Sequence, residues 1–201
     1  MSSMFKGDRK MKEILMKYME KYTVLSKDEQ QAVIEELIIQ QFEKGKDLIK
    51  QGDAPTKKCF FVLKGCVRQY HIEEDGKEAT SNFYTEEQAI LLFSGEEPNQ
   101  PSRHSLTCVE DCVLVVADFE SEKEMYQQYT ELESMTRRMM ETYLGQVQND
   151  FTTFIQSSPE ERYKSIIQNR PDLLTRVPQH QLASYLGMTP ESLSRIKKRM
   201  K

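Results

Sequence analysis

Near the C-terminus, Glu191, Arg195 and Lys198 follow one another at intervals of four and three residues. On a helix turning 100° per residue they fall within about 60° of one another. A guanidinium at such a place can donate a bidentate pair to guanine O6 and N7, and a carboxylate can accept from cytosine N4. Ser192 and Arg199 flank the same face and carry donors suited to phosphate oxygens. Leu193, Ile196 and Met200 fall on the opposite side and can seat the helix in a core. A helix over 190–200 is roughly 16 Å long, short enough to lie in a major groove ~12 Å wide.

A second helix must hold the first. Pro178 suits a first helical turn, where no N–H is needed. Leu182, Ala183 and Leu186 face inward, and Ala183 is small where two helices crossing steeply would touch. Gly187 supplies a left-handed residue at the helix end. Thr189-Pro190 then gives an N-cap and a first-turn proline. Apolar residue, small residue, turn glycine and later apolar positions stand at the offsets of a helix-turn-helix. The candidate DNA-binding residues are Gln179, Thr189, Glu191, Ser192, Arg195, Lys198 and Arg199.

The net charge of the 201-residue chain is −4, which by itself argues against a polyanionic partner. Its distribution does not: residues 158–201 carry +5 and the rest of the chain −9. A basic end on an acidic body fits a division of labour in which one part attracts phosphates. No apolar run approaches the ~18 residues of a membrane span. The N-terminal MSSMFKGDRKMKE is charged where an export signal would turn apolar, so a cytoplasmic protein with no membrane partner is expected.

Upstream, three textures follow one another. Ile14–Leu37 is helical, with Ser26 and Glu29 spaced as a capping box and Val33, Ile34, Leu37 and Ile38 at helical intervals. From about Gln41 to Val116, glycines separate short β-branched and aromatic runs, and Asp75-Gly76 marks a hairpin. Short strands so spaced predict a sandwich or small barrel. From about Ser121 to Ile155, apolar residues from Met125 through Leu132, Tyr143 and Phe151 to Phe154 recur every three or four positions. That predicts one helix of roughly 50 Å, too long to bury its stripe on a small barrel, and so a dimer seam with a second copy of the chain. The four cysteines show no C-x-x-C and no zinc spacing; Cys108 and Cys112 are expected on one strand face, and all four as small buried hydrophobes.

Over about residues 10–200 the chain resembles the Crp/Fnr family of bacterial transcription regulators. The resemblance rests on Phe42-Glu43-Lys44-Gly45, Gln51-Gly52-Asp53, the run Phe61 to Arg68, Asp75-Gly76-Lys77-Glu78 and, above all, Leu182 to Arg199. It implies an α+β fold: a β-roll sensor domain (a double-stranded β-helix, jelly-roll-like) over 1–120 with its N-terminal helices, a long dimerisation helix over 121–156, and a winged-helix-like helix-turn-helix domain over 157–201. It also implies a homodimer on a palindromic double-stranded DNA operator, with RNA polymerase as a further partner. The family's base-reading Glu and Arg fall on Glu191 and Arg195. Pro190 stands where many members have a basic or polar residue, so the family's best-known half-site is not carried over. The docking geometry that the resemblance implies places the second of the two helices in the major groove, as in other helix-turn-helix regulators.

In nucleotide-binding members, a Gly-Glu pair takes the ribose and an Arg about ten residues on holds the cyclic phosphate. Here Gly95-Glu96 is present, but Arg103 follows Glu96 by only seven residues, across Pro98 and Pro101. Counting back from Cys108–Cys112 puts Ser102 at the phosphate position. The clamp is therefore expected to be degenerate, with Glu96 and Arg103 as the candidate pocket residues. An iron–sulfur cluster of the family's N-terminal cysteine type lacks ligands, since no Cys precedes Cys59, and His71 alone is weak ground for haem. No cofactor is implied. Nor is an enzyme expected, as His71, His104 and His180 form no cupin H-x-H and no Walker, G-x-S-x-G or H-E-x-x-H motif occurs. The competing function is a small-ligand module that acts through protein contacts without DNA.

Overall fold

Strands that alternate inward and outward residues build the middle of the molecule, in a computed structural model that describes residues 2–56, 58–91 and 100–200. Among the described residues the strands are β1 (Ile38–Phe42), β2 (Asp47–Ile49), β3 (Lys58–Lys64), β4 (Val67–Ile72), β5 (Glu78–Tyr84), β6 (Ala89–Ile90), β7 (Ser105–Cys108) and β8 (Cys112–Asp118). They form two antiparallel sheets, ordered β1-β8-β3-β6 and β2-β7-β4-β5. That order is a jelly roll, so the expected β-roll is present. Val62, Val67, Ile90, Leu106 and Leu114 are fully buried between the sheets. The Asp75-Gly76 turn joins β4 to β5, as its sequence predicts.

Cys108 and Cys112 do not share a strand face. Cys108 ends β7 and Cys112 opens β8 in the other sheet, because the chain turns across residues 109–111. All four cysteines are buried, as expected, and none is in a disulfide. Gly65, between β3 and β4, lies against this corner at φ +105. A Cβ there would stand 2.6 Å from Cys112 Sγ and 2.8 Å from its Cα.

The N-terminal helices are α1 (Ser2–Glu20) and α2 (Lys27–Glu36), and α2 opens with the capping box of Ser26 and Glu29. Ile38 is not helical: Leu37 turns extended, and Ile38 begins β1. After β8 the single long helix expected from the sequence is two, α3 (Phe119–Gln128) and α4 (Thr130–Gln156). Tyr129 leaves the helical region at φ −126, ψ 85, and Tyr126 Oη then comes within 2.9 Å of Thr136 Oγ1. A straight rod would hold those residues about 15 Å apart. The bend lets Met125, Tyr126, Leu132 and Met135 share one apolar cluster with Leu15, Met19, Val33 and Ile34, over the outer side chains Leu63 and Val115 of the roll. Half of the predicted seam is thus spent inside the subunit.

Four helices follow: α5 (Pro159–Asn169), α6 (Leu173–Arg176), α7 (Gln179–Tyr185) and α8 (Pro190–Arg199). Among described residues 157–200 no strand occurs, and Pro171 and Pro178 bracket a single helical turn. Pro178 itself is the cap of α7 and not its first helical residue.

These helices sit on the roll. Phe83 and Cys66, fully buried, belong to the same core as Leu173, Leu182, Ala183, Leu193 and Ile196. Phe83 also meets the Tyr185 ring edge-on, 5.4 Å between centroids. Ser184 Oγ accepts from Thr80 N at 2.9 Å and donates to Glu78 O at 3.2 Å, while Arg170 Nη2 donates to Phe83 O at 2.8 Å. Arg68, buried under Tyr70, braces the same edge by donating to Thr80 Oγ1 and pairing with Glu78. At the other edge Arg176 grips Glu86 with two bonds of 2.8 and 2.9 Å, and donates from Nε to Glu110 at 3.0 Å. Glu86 Oε1 also accepts from Gly65 N at 2.9 Å.

Replacing Gly65 by Ala must either move the Cys112 backbone or fail, and φ +105 adds strain. A loss of at least about 2 kcal/mol in urea unfolding is expected; an unchanged midpoint would contradict the packing. Burial pushes the Glu86 carboxyl up, but Arg176 and the Gly65 amide outweigh it and hold the group below the usual carboxylate range. A lowered carboxyl stabilises the fold above its unfolded pKa, and that contribution is lost as pH falls through the folded value. The urea midpoint should therefore drop between about pH 5 and pH 2, less steeply in Arg176→Gln. Equal slopes in the two proteins would deny the grip any role.

Candidate nucleic-acid interface

The α7–α8 turn is made by Gly187, whose φ of +67 is the left-handed conformation its position predicts. Thr189 caps α8, its Oγ1 accepting from Ser192 N at 3.2 Å, and Pro190 fills the first turn. Leu193 and Ile196 are buried, and Met200 packs against the same core. The opposite side is open: Glu191, Arg195, Lys198 and Arg199 are exposed, as are Gln179 and Thr189, and Ser192 is half-buried.

Local bonds order this face. Arg195 Nη2 donates to Ser192 Oγ at 3.2 Å, and Lys197 Nζ reaches Gln179 Oε1 at 3.5 Å, tying α8 back to the start of α7. The Glu191 carboxyl is held below its ordinary range by its own backbone amide and by Thr189, with Arg195 adding to the effect. At neutral pH it is an acceptor, as a bond from an exocyclic amine requires. Arg199 differs from the others: its Nη2 lies 3.3 Å from Glu160 Oε2 on α5, so it meets a phosphate only by sharing or leaving that partner.

Along α4 the second half of the stripe is largely open. Leu144, Val147, Phe151, Phe154 and Ile155 are large, apolar and exposed, Phe151 at 65%. Leu144, Val147, Phe151 and Phe154 repeat at three and four, the spacing of a helix–helix seam. Leu144 and Ile155, beside Tyr143 and Phe154, widen that stripe.

Of the candidate pocket residues, Glu96 lies outside the described residues. Arg103 is exposed, and its Nη2 donates to Gln100 Oε1 at 3.0 Å. Ser102 exchanges backbone bonds with Gly52 and Asp53, and its hydroxyl donates to His104 O at 2.7 Å. Arg103 thus stands among surface polar groups and not in the roll's buried core. Burial pushes the Cys66 thiol up to about 12, which keeps it protonated and unreactive. Among the described residues no group of three or more His, Cys, Asp or Glu is placed to hold a metal ion, and no helix is long and apolar enough to cross a membrane.

Sequence reasoning missed the arginines that orient the helices. Arg170 and Arg176 fasten them to the roll, and Arg162 lies between the end of α4 and the α7–α8 turn. Their partners are backbone carbonyls or carboxylates up to 90 positions away, so no local spacing signals them.

No curated protein matches the chain. Residues 39–129 match the family model of the cyclic nucleotide-binding domain. In fold, the chain is similar to FixK2 from Bradyrhizobium japonicum, with 17% identity, 82% of this chain and 84% of that one covered, and a TM-score of 0.66. It is also similar to the c-di-GMP responsive global regulator CLP of Xanthomonas campestris, at 15% identity, 87% and 91% coverage and a TM-score of 0.61. A CooA mutant from Carboxydothermus hydrogenoformans gives 17% identity, 84% and 78% coverage and a TM-score of 0.60. Residues 39–129 therefore match the cyclic nucleotide-binding domain family, within a chain similar in fold to FixK2, CLP and CooA.

Proposed function

We propose that the protein is a homodimeric, sequence-specific DNA-binding transcription regulator of the Crp/Fnr type, working in the cytoplasm. The observation that carries this is the two-sidedness of α8: Leu193 and Ile196 are seated in a core, and Glu191, Arg195 and Lys198 stand ordered on the open side. A cap at Thr189 and a neighbouring helix fix the element at both ends, as base contacts demand. Two copies joined along α4 would cover Leu144, Val147, Phe151 and Phe154 and present two such helices to successive major grooves, ~34 Å apart. Contact with RNA polymerase belongs to the same proposal.

The domain match raises the question of an effector. A cyclic phosphate needs a buried cationic clamp, and Arg103 is exposed and bonded to Gln100. The roll is therefore proposed to act without a cyclic mononucleotide. Calorimetric titration with cyclic AMP and cyclic GMP should give no saturable heat; saturable binding that Arg103→Ala abolishes would contradict this.

Gel-shift titration against the gene's own upstream region should show specific retardation by the wild-type protein. Arg195→Ala should cost roughly 1–3 kcal/mol on the specific site and relax preference at one base pair per half-site. Lys198→Ala should weaken all sequences alike and flatten the salt slope. Absence of specific retardation at every salt concentration would favour the module that works through protein contacts. Phe151→Glu puts a charge in the proposed seam; sedimentation should then show a single 23.6 kDa chain. A dimer that survives this change would place the seam elsewhere.

A further inference from the structure

The joint between α4 and α5 is two extended residues, Ser157 and Ser158. Such a joint does not by itself fix the angle between α4 and the helical unit, whose other contacts run to the roll. Arg162, in the second turn of α5, spans the joint. Its Nε donates to Phe154 O at 3.1 Å, in the last turn of α4, and its Nη1 donates to Leu186 O at 3.1 Å, the cap of α7. The guanidinium also lies over the Phe154 ring, 3.6 Å from its centroid. Two helix C-termini, each with unpaired carbonyls and partial negative charge, thus converge on one planar cation. The turn residue is fitted to the same group: a Cβ on Gly187 would stand 2.9 Å from Arg162 Nη1 and 3.2 Å from Phe154 Cζ.

The two ends so joined are the ones the proposed function must relate. Phe154 belongs to the exposed stripe of α4, and Gly187 lies two residues before Thr189, the cap of α8. Ser184, Arg170 and Arg176 hold the helices to the roll, whereas Arg162 bonds the end of α4 itself. We propose that Arg162 is a positioning residue that sets the half-site spacing the dimer accepts, by locking α8 to the C-terminal end of α4. The inference rests on the DNA-reading proposal. A lysine cannot replace the arginine, because one ammonium lacks the planar fork that meets two carbonyls while stacking on a ring.

The test is a set of palindromes whose half-sites are moved apart or together by single base pairs, each step also rotating them by about 35°. Wild-type protein should prefer one spacing by at least about tenfold, the scale of a lost charge-assisted bond. Arg162→Gln should bring the series within about twofold while leaving affinity for an isolated half-site unchanged. Arg162→Lys, which keeps the charge, should flatten the series too and serves if the Gln variant does not fold. A wild-type spacing preference in either folded variant would overturn the inference alone. So would an equal loss on isolated half-sites, which would make Arg162 a stabiliser of the helices only. If the wild-type protein prefers no sequence at all, the DNA-reading proposal falls, and this one with it.

Discussion

Phe83 lies on a roll strand, yet its ring is buried among residues from the C-terminal helices. With Cys66 it joins Leu173, Leu182, Ala183, Leu193 and Ile196 in one apolar core. Burial of such surface yields roughly 25 cal/mol per Å², and it cannot be kept if the helices lift away. The outward face of α8 is therefore oriented by the same packing that docks the unit on the roll. Around the rim, Ser184, Arg170 and Arg176 satisfy backbone and carboxylate groups that docking takes from water. Their contribution is direction more than strength, since a net hydrogen bond stabilises by only about 1 kcal/mol.

The charges divide along the same line. Basic residues of the C-terminal segment fall into two sets. Arg162, Arg170 and Arg176 are turned inward to carbonyls and carboxylates. Arg195 and Lys198 stand outward on α8, with Arg199 leaning on Glu160. The acidic body supplies Glu86 and Glu110 as partners for the first set, and so uses part of its negative charge to hold a basic unit in place. What is left outward is the field that a polyanion would meet.

Features set by near neighbours were legible in the sequence. The Ser26 box, the Asp75-Gly76 turn, Gly187 and the Thr189-Pro190 start each depend on residues within four positions. The buried and open sides of α8 followed from periodicity alone. Features set by distant partners were not. The break at Tyr129 carries neither Pro nor Gly; it lets Met125 and Tyr126 pack on the cluster to which α1 and α2 contribute. Cys108 and Cys112 parted because the roll changes sheets between them. Arg162 and Arg176 sit in plain amphipathic stretches, and their roles depend on groups eight and 24 positions away for the first and 66 and 90 for the second.

The claim that α8 reads bases turns on one bond, from the Arg195 guanidinium to a guanine edge. Replacing each operator guanine in turn by 7-deazaguanine removes N7 and leaves pairing intact. At one guanine per half-site the exchange should weaken the wild-type protein and leave Arg195→Ala untouched. If every exchange affects the two proteins equally, Arg195 does not touch a guanine and the account of α8 is wrong.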